Sequence, residues 1–202
     1  MAEEPSKRDH HFAMKKLQSE RRELMKSKTE RGGLLIVHTG DGKGKSTAAF
    51  GMALRSLGWG LKVGIVQFVK GKWKTGERLF FTGLGDRLDY VVSGEGFTWD
   101  TQDRDRDVAA ARAGWERAKA MIADPSYNLI ILDELNIALR YEQLPLPEVL
   151  EALEARPAGT HVCITGRNAK PELIEAADLV TEFTLVKHPF EQGFKAQRGV
   201  EF

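Results

Sequence analysis

The sequence predicts an α/β domain of three layers, with helices on both faces of a mostly parallel sheet. Three observations carry this expectation. Short apolar runs alternate with helix-forming segments from Leu34 onward. The first run leads into a glycine-rich loop, Thr39-Gly-Asp-Gly-Lys-Gly-Lys-Ser-Thr47, which opens a helix. A later run, Asn128-Leu-Ile-Ile-Leu-Asp133-Glu134, ends in two carboxylates. In sheets of this kind, ligands bind beyond the C-terminal ends of the strands.

Each element has its own signal in the chain. Residues 34–37 are apolar and partly β-branched, as a strand buried on both faces requires. The segment after Ser46 is rich in alanine and leucine and reads as a helix that Gly58 can stop. Residues 62–69 read as the second strand and 87–92 as the third, with a short segment at 77–84 between them. A long helix is expected over 105–123, then a buried strand over 128–132 and a helical turn over 135–140. Residues 147–155 form a short helix with proline near its start. A strand at 161–165, a helix at 171–177 and a strand at 179–186 complete the sheet.

Residues 1–31 differ in composition and form a charged N-terminal arm, leaving 32–202 as the domain proper. Helix is favoured over 8–30, with a thin apolar stripe at Phe12, Met14, Leu17, Leu24 and Met25. That composition suits a solvated arm as well as a helix that orders over a ligand or a partner subunit.

The bulk properties exclude several classes. A chain of 202 residues is long enough for one domain that buries roughly 70% of its unfolded surface. A net charge of +1 argues against a dominant nucleic-acid footprint. The single cysteine, Cys163, allows no internal disulfide and fits a reducing compartment. No apolar stretch approaches the ~18 residues of a membrane span, and the first 31 residues are too charged for a secretion signal. The expectation is a cytoplasmic protein.

The loop at 39–47 carries the chemistry. A phosphate-binding loop reads G-x-x-x-x-G-K-[ST]. Gly44-Lys45-Ser46 supplies its end, but the first glycine would fall at Thr39, and the nearest glycine is Gly40. The loop is one residue short. Backbone N–H groups of Gly40, Asp41, Gly42, Lys43 and Gly44 and the helix dipole would face phosphates. Lys45 would pair with phosphate oxygens, and the hydroxyl of Ser46 or Thr47 would reach Mg²⁺. Asp133 and Glu134 have the form of a Walker B end, where an acid serves Mg²⁺ directly or through water; either can also cap the next helix. Arg167, after the strand at 161–165, can neutralise phosphate or lie free on the surface. Phe97 and Trp99, in a glycine-flanked polar loop, can fill a local core or wall a large flat ligand. Gln67, Phe68 and Lys70 end the second strand at the expected ligand edge. His38 and Cys163 lie in apolar strands and read as core.

These segments together resemble the ATP:corrinoid adenosyltransferases of cobalamin biosynthesis. The resemblance runs through the loop and continues in Val66-Gln-Phe-Val-Lys-Gly71, Gly96-Phe-Thr-Trp-Asp100, Ile130-Ile-Leu-Asp-Glu-Leu-Asn136, Thr165-Gly-Arg167, Lys187-His-Pro-Phe190 and Gly193-Phe-Lys-Ala-Gln-Arg-Gly-Val-Glu201. It implies a RecA-like fold, a homodimer, and ATP, Mg²⁺ and a corrinoid in the site. It also implies that ATP lies reversed in the loop, so that cobalt attacks the ribose C5′ and triphosphate leaves. By the same resemblance, Lys45, the loop amides, Lys43 and Arg167 hold the triphosphate, and Ser46 and Glu134 hold Mg²⁺ with Asp133 in support. Phe97 and Trp99 would pack on the corrin and displace its lower ligand, the N-terminal helix would cover the corrinoid, and a reduced flavin or flavodoxin would supply electrons. Two rivals remain on the residues alone. One is an ordinary P-loop ATPase or small-molecule kinase, and the other a RecA-like nucleic-acid-binding module.

Overall fold

The computed structural model describes residues 7–69, 75–93 and 103–201. The chain divides into two compact units, residues 1–31 and 32–202. The first contains one helix, α1 (Lys7–Lys26), which ends a turn earlier than the sequence suggests.

The second unit contains a six-stranded sheet in the order β3-β2-β4-β5-β1-β6, with every pairing parallel. Its elements are β1 (Leu35–Thr39), α2 (Lys45–Gly58), β2 (Val63–Gln67), α3 (Gly76–Phe81), β3 (Leu88–Val92), α4 (Arg104–Ala123), β4 (Leu129–Asp133), α5 (Leu135–Arg140), α6 (Leu146–Glu154), β5 (His161–Thr165), α7 (Pro171–Ala176) and β6 (Leu179–Glu182). β1, β2 and β4 are buried along their whole length. That is why they read as unbroken apolar runs rather than as alternating ones.

The period of two still sorts side chains between the layers. Ile36, Ile65, Leu129 and Ile131 face α2 and α3, where Phe50, Ala53, Leu57 and Phe81 cover them. Val37, Val66, Ile130 and Leu132 point the other way, into the larger layer with Trp115, Ala118, Met121, Leu139 and Leu153. α4 and α6 are tied by Glu148, which accepts from Arg112 (2.5 Å), the Trp115 indole (2.8 Å) and Lys119 (3.1 Å).

α3 overlaps the short segment expected at 77–84 and begins one residue before it. It starts because Thr75 accepts from the Arg78 N–H at 3.3 Å. β6 is shorter than expected. After Glu182 the chain leaves the sheet edge and passes beneath the glycine loop. No helix among the described residues is long and apolar enough to cross a membrane.

Candidate functional site

The C-terminal ends of β1, β4 and β5 meet at one cavity of about 500 Å³, within the range of about 300–1,000 Å³ usual for small-molecule sites. β1 delivers the glycine loop to it. Gly44 adopts φ 109°, a left-handed conformation that glycine takes without strain, and α2 begins at the next residue. The first N–H groups of α2 have no partner within the helix, the arrangement in which helix N-termini generally accept anions.

Lys45 folds back over its own loop. Its ammonium donates to the carbonyls of Gly40 (2.7 Å) and Gly42 (2.6 Å), and the residue as a whole is 8% exposed. Burial lowers its pKa below the ordinary lysine value, and the Glu134 carboxylate opposes that shift. Behind the loop, His38 Nδ1 lies 3.2 Å from the Lys45 carbonyl. Burial lowers the His38 pKa, against the raising effect of that hydrogen bond.

The loop rests on a second backbone. Gly42 N–H donates to the Phe183 carbonyl at 2.6 Å, and Phe183 N–H donates to the Thr39 carbonyl at 2.9 Å. A Cβ on Gly42 would lie 2.7 Å from the Thr184 carbonyl oxygen. Only glycine allows this approach without displacement. The Phe183 ring sits edge-on to His38, with centroids 5.4 Å apart. One amide of an already short loop is therefore engaged with protein.

The two carboxylates at the end of β4 part company. Glu134 lines the cavity. Asp133 is fully buried beneath it, accepting from Gln67 Nε2 (2.7 Å) and Thr165 Oγ1 (2.8 Å). Glu134 precedes α5 but makes no side-chain cap, and its backbone is left-handed at φ 62°. Gln67, expected at the ligand edge, lies in the interior instead. It is 2% exposed, its amide nitrogen serves Asp133, and its oxygen accepts from Tyr90 at 2.6 Å. Phe68 likewise belongs to the core.

The structure brings Asp41 to Thr47, Glu134 and Arg167 to the one cavity. Arg167 reaches the loop from the end of β5, with Nε 3.7 Å from the Asp41 carboxylate. Among the lining residues that the sequence did not single out as site residues are Glu77, Arg140, His188 and Glu201, the last two within segments that carry the family resemblance. Arg140 had a signal, since it lies six residues after Glu134 and shares the helix face of Ile137, which also lines the cavity. Glu201 comes from the far end of the chain and pairs with Lys43 at 2.9 Å.

Ser46 and Glu134 offer oxygen donors on the same cavity. Among the described residues no group of three or more His, Cys, Asp or Glu converges as a metal site. That donor set fits Mg²⁺, a hard ion held by one or two protein oxygens together with substrate phosphates. Phe97 and Trp99, and Lys70, lie outside the described residues. Cys163 is a core residue whose thiol burial pushes up to about 12, with the Asp133 charge adding to the shift. It is no nucleophile at neutral pH.

Comparison with known proteins is consistent along the chain. Residues 31–202 match the family model described as ATP:corrinoid adenosyltransferase BtuR/CobO/CobP. A corrinoid adenosyltransferase of Pseudomonas aeruginosa is 56% identical over 179 residues, covering 89% of this chain and 88% of the relative. One from a Sinorhizobium species is 52% identical over 205 residues, covering 99% and 96%. The corrinoid adenosyltransferase CobA of Salmonella typhimurium is 47% identical over 173 residues, covering 86% and 87%.

Proposed function

Because the chain belongs to the ATP:corrinoid adenosyltransferase family, we propose that it transfers the 5′-deoxyadenosyl group of ATP to the Co(I) of a corrinoid and releases triphosphate. The observation that carries the reading is the short loop. It is pinned at Gly42 to Phe183, it buries Lys45, and it shares one cavity with Glu134 and Arg167.

Electrons and atoms balance simply. The cobalt electron pair forms the bond to C5′, the C5′–O bond breaks, and its electrons leave on the triphosphate. No protein base is required, because cobalt is the nucleophile. The chain's task is to hold a leaving group that gains charge as the bond breaks. The Lys45 ammonium exchanges the Gly40 and Gly42 carbonyls for phosphate oxygens. Lys43 and Arg167, each now beside a carboxylate, can turn to the same anion. The α2 N-terminus adds its unpaired amides. Mg²⁺, held by the Ser46 hydroxyl and Glu134, would neutralise part of the triphosphate charge, and Asp133 supports it from beneath.

In this reading ATP lies reversed, with its γ-phosphate in the loop and C5′ turned outward to the corrinoid. Phe97 and Trp99 press on the corrin face and displace the lower axial ligand, which makes Co(II) easier to reduce. The electron comes from a reduced flavin or flavodoxin. Two copies of the chain pair as a homodimer.

The deciding assay combines the protein, ATP, Mg²⁺ and a chemically reduced Co(I) corrinoid under anaerobic conditions. Triphosphate and a light-sensitive alkyl corrinoid are expected. ADP and phosphate, with the corrinoid unchanged, would place the chain with ordinary P-loop ATPases or kinases.

A further inference from the structure

The corner that carries Glu134 is built from β5, and its construction assigns work to a residue with no part in the chemistry. Thr165 is fully buried at the end of β5. Its hydroxyl donates to Asp133 Oδ1 at 2.8 Å and accepts from the Glu134 backbone N–H at 3.0 Å. A hydroxyl has one proton. With that proton directed to the Asp133 carboxylate, a lone pair is left for Glu134. The Asp133 charge therefore sets the direction of the Thr165 hydroxyl, and Gln67 fixes the other Asp133 oxygen at 2.7 Å.

Glu134 needs such a hold. Its φ of 62° is a left-handed conformation that a glutamate adopts at a cost. Gly166, next along the chain, makes room for it. A Cβ there would lie 3.2 Å from Glu134 Oε2 and 2.9 Å from Asn136 Cβ. The Asn136 amide closes the corner by donating to the Gly166 carbonyl at 2.9 Å.

We propose that Thr165 is a positioning residue for the metal–triphosphate site: oriented by buried Asp133, its hydroxyl holds the left-handed Glu134 backbone so that the Glu134 carboxylate stays directed into the cavity. The proposal rests on the reading that Glu134 binds the metal. It gives separate duties to two adjacent acids. Glu134 contacts the ion, and Asp133 acts through Thr165.

The test titrates the full chain with Mn²⁺·ATP and with metal-free ATP by calorimetry, with the Mn²⁺ electron paramagnetic resonance signal as a second readout. Thr165→Val keeps the shape and removes the hydroxyl. It should weaken Mn²⁺·ATP binding about tenfold, the size of one lost hydrogen bond, and leave metal-free ATP within about twofold of the wild type. Thr165→Ser should restore Mn²⁺·ATP binding to within about twofold. Should the valine variant fail to fold, Thr165→Cys, with only a weak thiol donor, carries the same expectation. Equal weakening of both ligands, or wild-type Mn²⁺·ATP binding by the valine variant, overturns the proposal. Glu134→Gln distinguishes metal binding by Glu134 from its positioning by Thr165. If it also binds Mn²⁺·ATP like the wild type, the metal reading of Glu134 fails along with the proposal. If it loses binding while Thr165→Val does not, only the proposal fails.

Discussion

Replacing Gly42 by alanine tests whether the loop's contact with the segment after β6 shapes the triphosphate site. The new Cβ would lie 2.7 Å from the Thr184 carbonyl oxygen and 2.8 Å from the Phe183 carbonyl. Both neighbours are backbone, so neither can rotate away. The loop must rise, and the 2.6 Å bond from Gly42 N–H to Phe183 lengthens or breaks. The lost bond is worth about 1 kcal/mol, and displacing a packed backbone costs about 1–3 kcal/mol. The bond should appear as a melting temperature about 2–4 °C lower. Pressing the raised loop back to its wild-type position to receive a ligand, taken as about 2 kcal/mol, should appear as roughly thirty-fold weaker binding of inorganic triphosphate with Mg²⁺. Gly51→Ala in α2 is the control, since no atom beyond its chain neighbours and the adjoining helix backbone lies within 4 Å of its Cβ position. It should stabilise the helix by about 0.5–1 kcal/mol and leave triphosphate binding unchanged. Calorimetric titration and a melting curve read both effects. If Gly42→Ala binds triphosphate within about threefold of the wild type, the Phe183 contact does not shape the cradle.

Other outcomes follow from the same structure. Lys45→Ala should lower kcat for adenosyl transfer about 10²–10³-fold, the loss typical of one donor to a developing anion; a loss below tenfold would remove the lysine from the leaving-group site. Phe97→Ala with Trp99→Ala should slow transfer starting from Co(II) far more than transfer from pre-reduced Co(I), and equal losses would refute ligand displacement. Glu148 is held down to about 2, first by its bond to Arg112. A lowered folded-state pKa stabilises above the unfolded value of 4.5, and that contribution is lost as pH falls toward 2. Glu148→Gln should therefore flatten the fall in melting temperature between about pH 5 and 2, and an unchanged slope would contradict the assignment.

The sequence was most legible where one residue type has one physical use. Strands buried on both faces must be apolar, so β1, β2, β4 and β5 stood out without alternation. Lys45, Ser46 and Glu134 follow from the chemistry of a phosphate and a hard cation, and they do share a cavity. Gln67 shows the limit. A polar residue at a strand end can face a ligand or support a neighbour, and only the Asp133 contact decides. The support beneath the loop was invisible for a different reason. Phe183 and Thr184 act through backbone atoms about 140 residues from Gly42, and backbone groups carry no signature of residue type. Glu201 was hidden likewise, since its pairing with Lys43 depends on where the tail returns.

The central claim is that bond breaking occurs at C5′ and not at a phosphorus. ATP labelled with ¹⁸O at the oxygen bridging C5′ and the α-phosphorus tests it most directly. After reaction with Mg²⁺ and Co(I) corrinoid, mass spectrometry of the products should find the label in triphosphate and none in the adenosyl group, one triphosphate for each adenosylated corrinoid. Label retained in ADP or another nucleotide product, with no labelled triphosphate, would contradict the account.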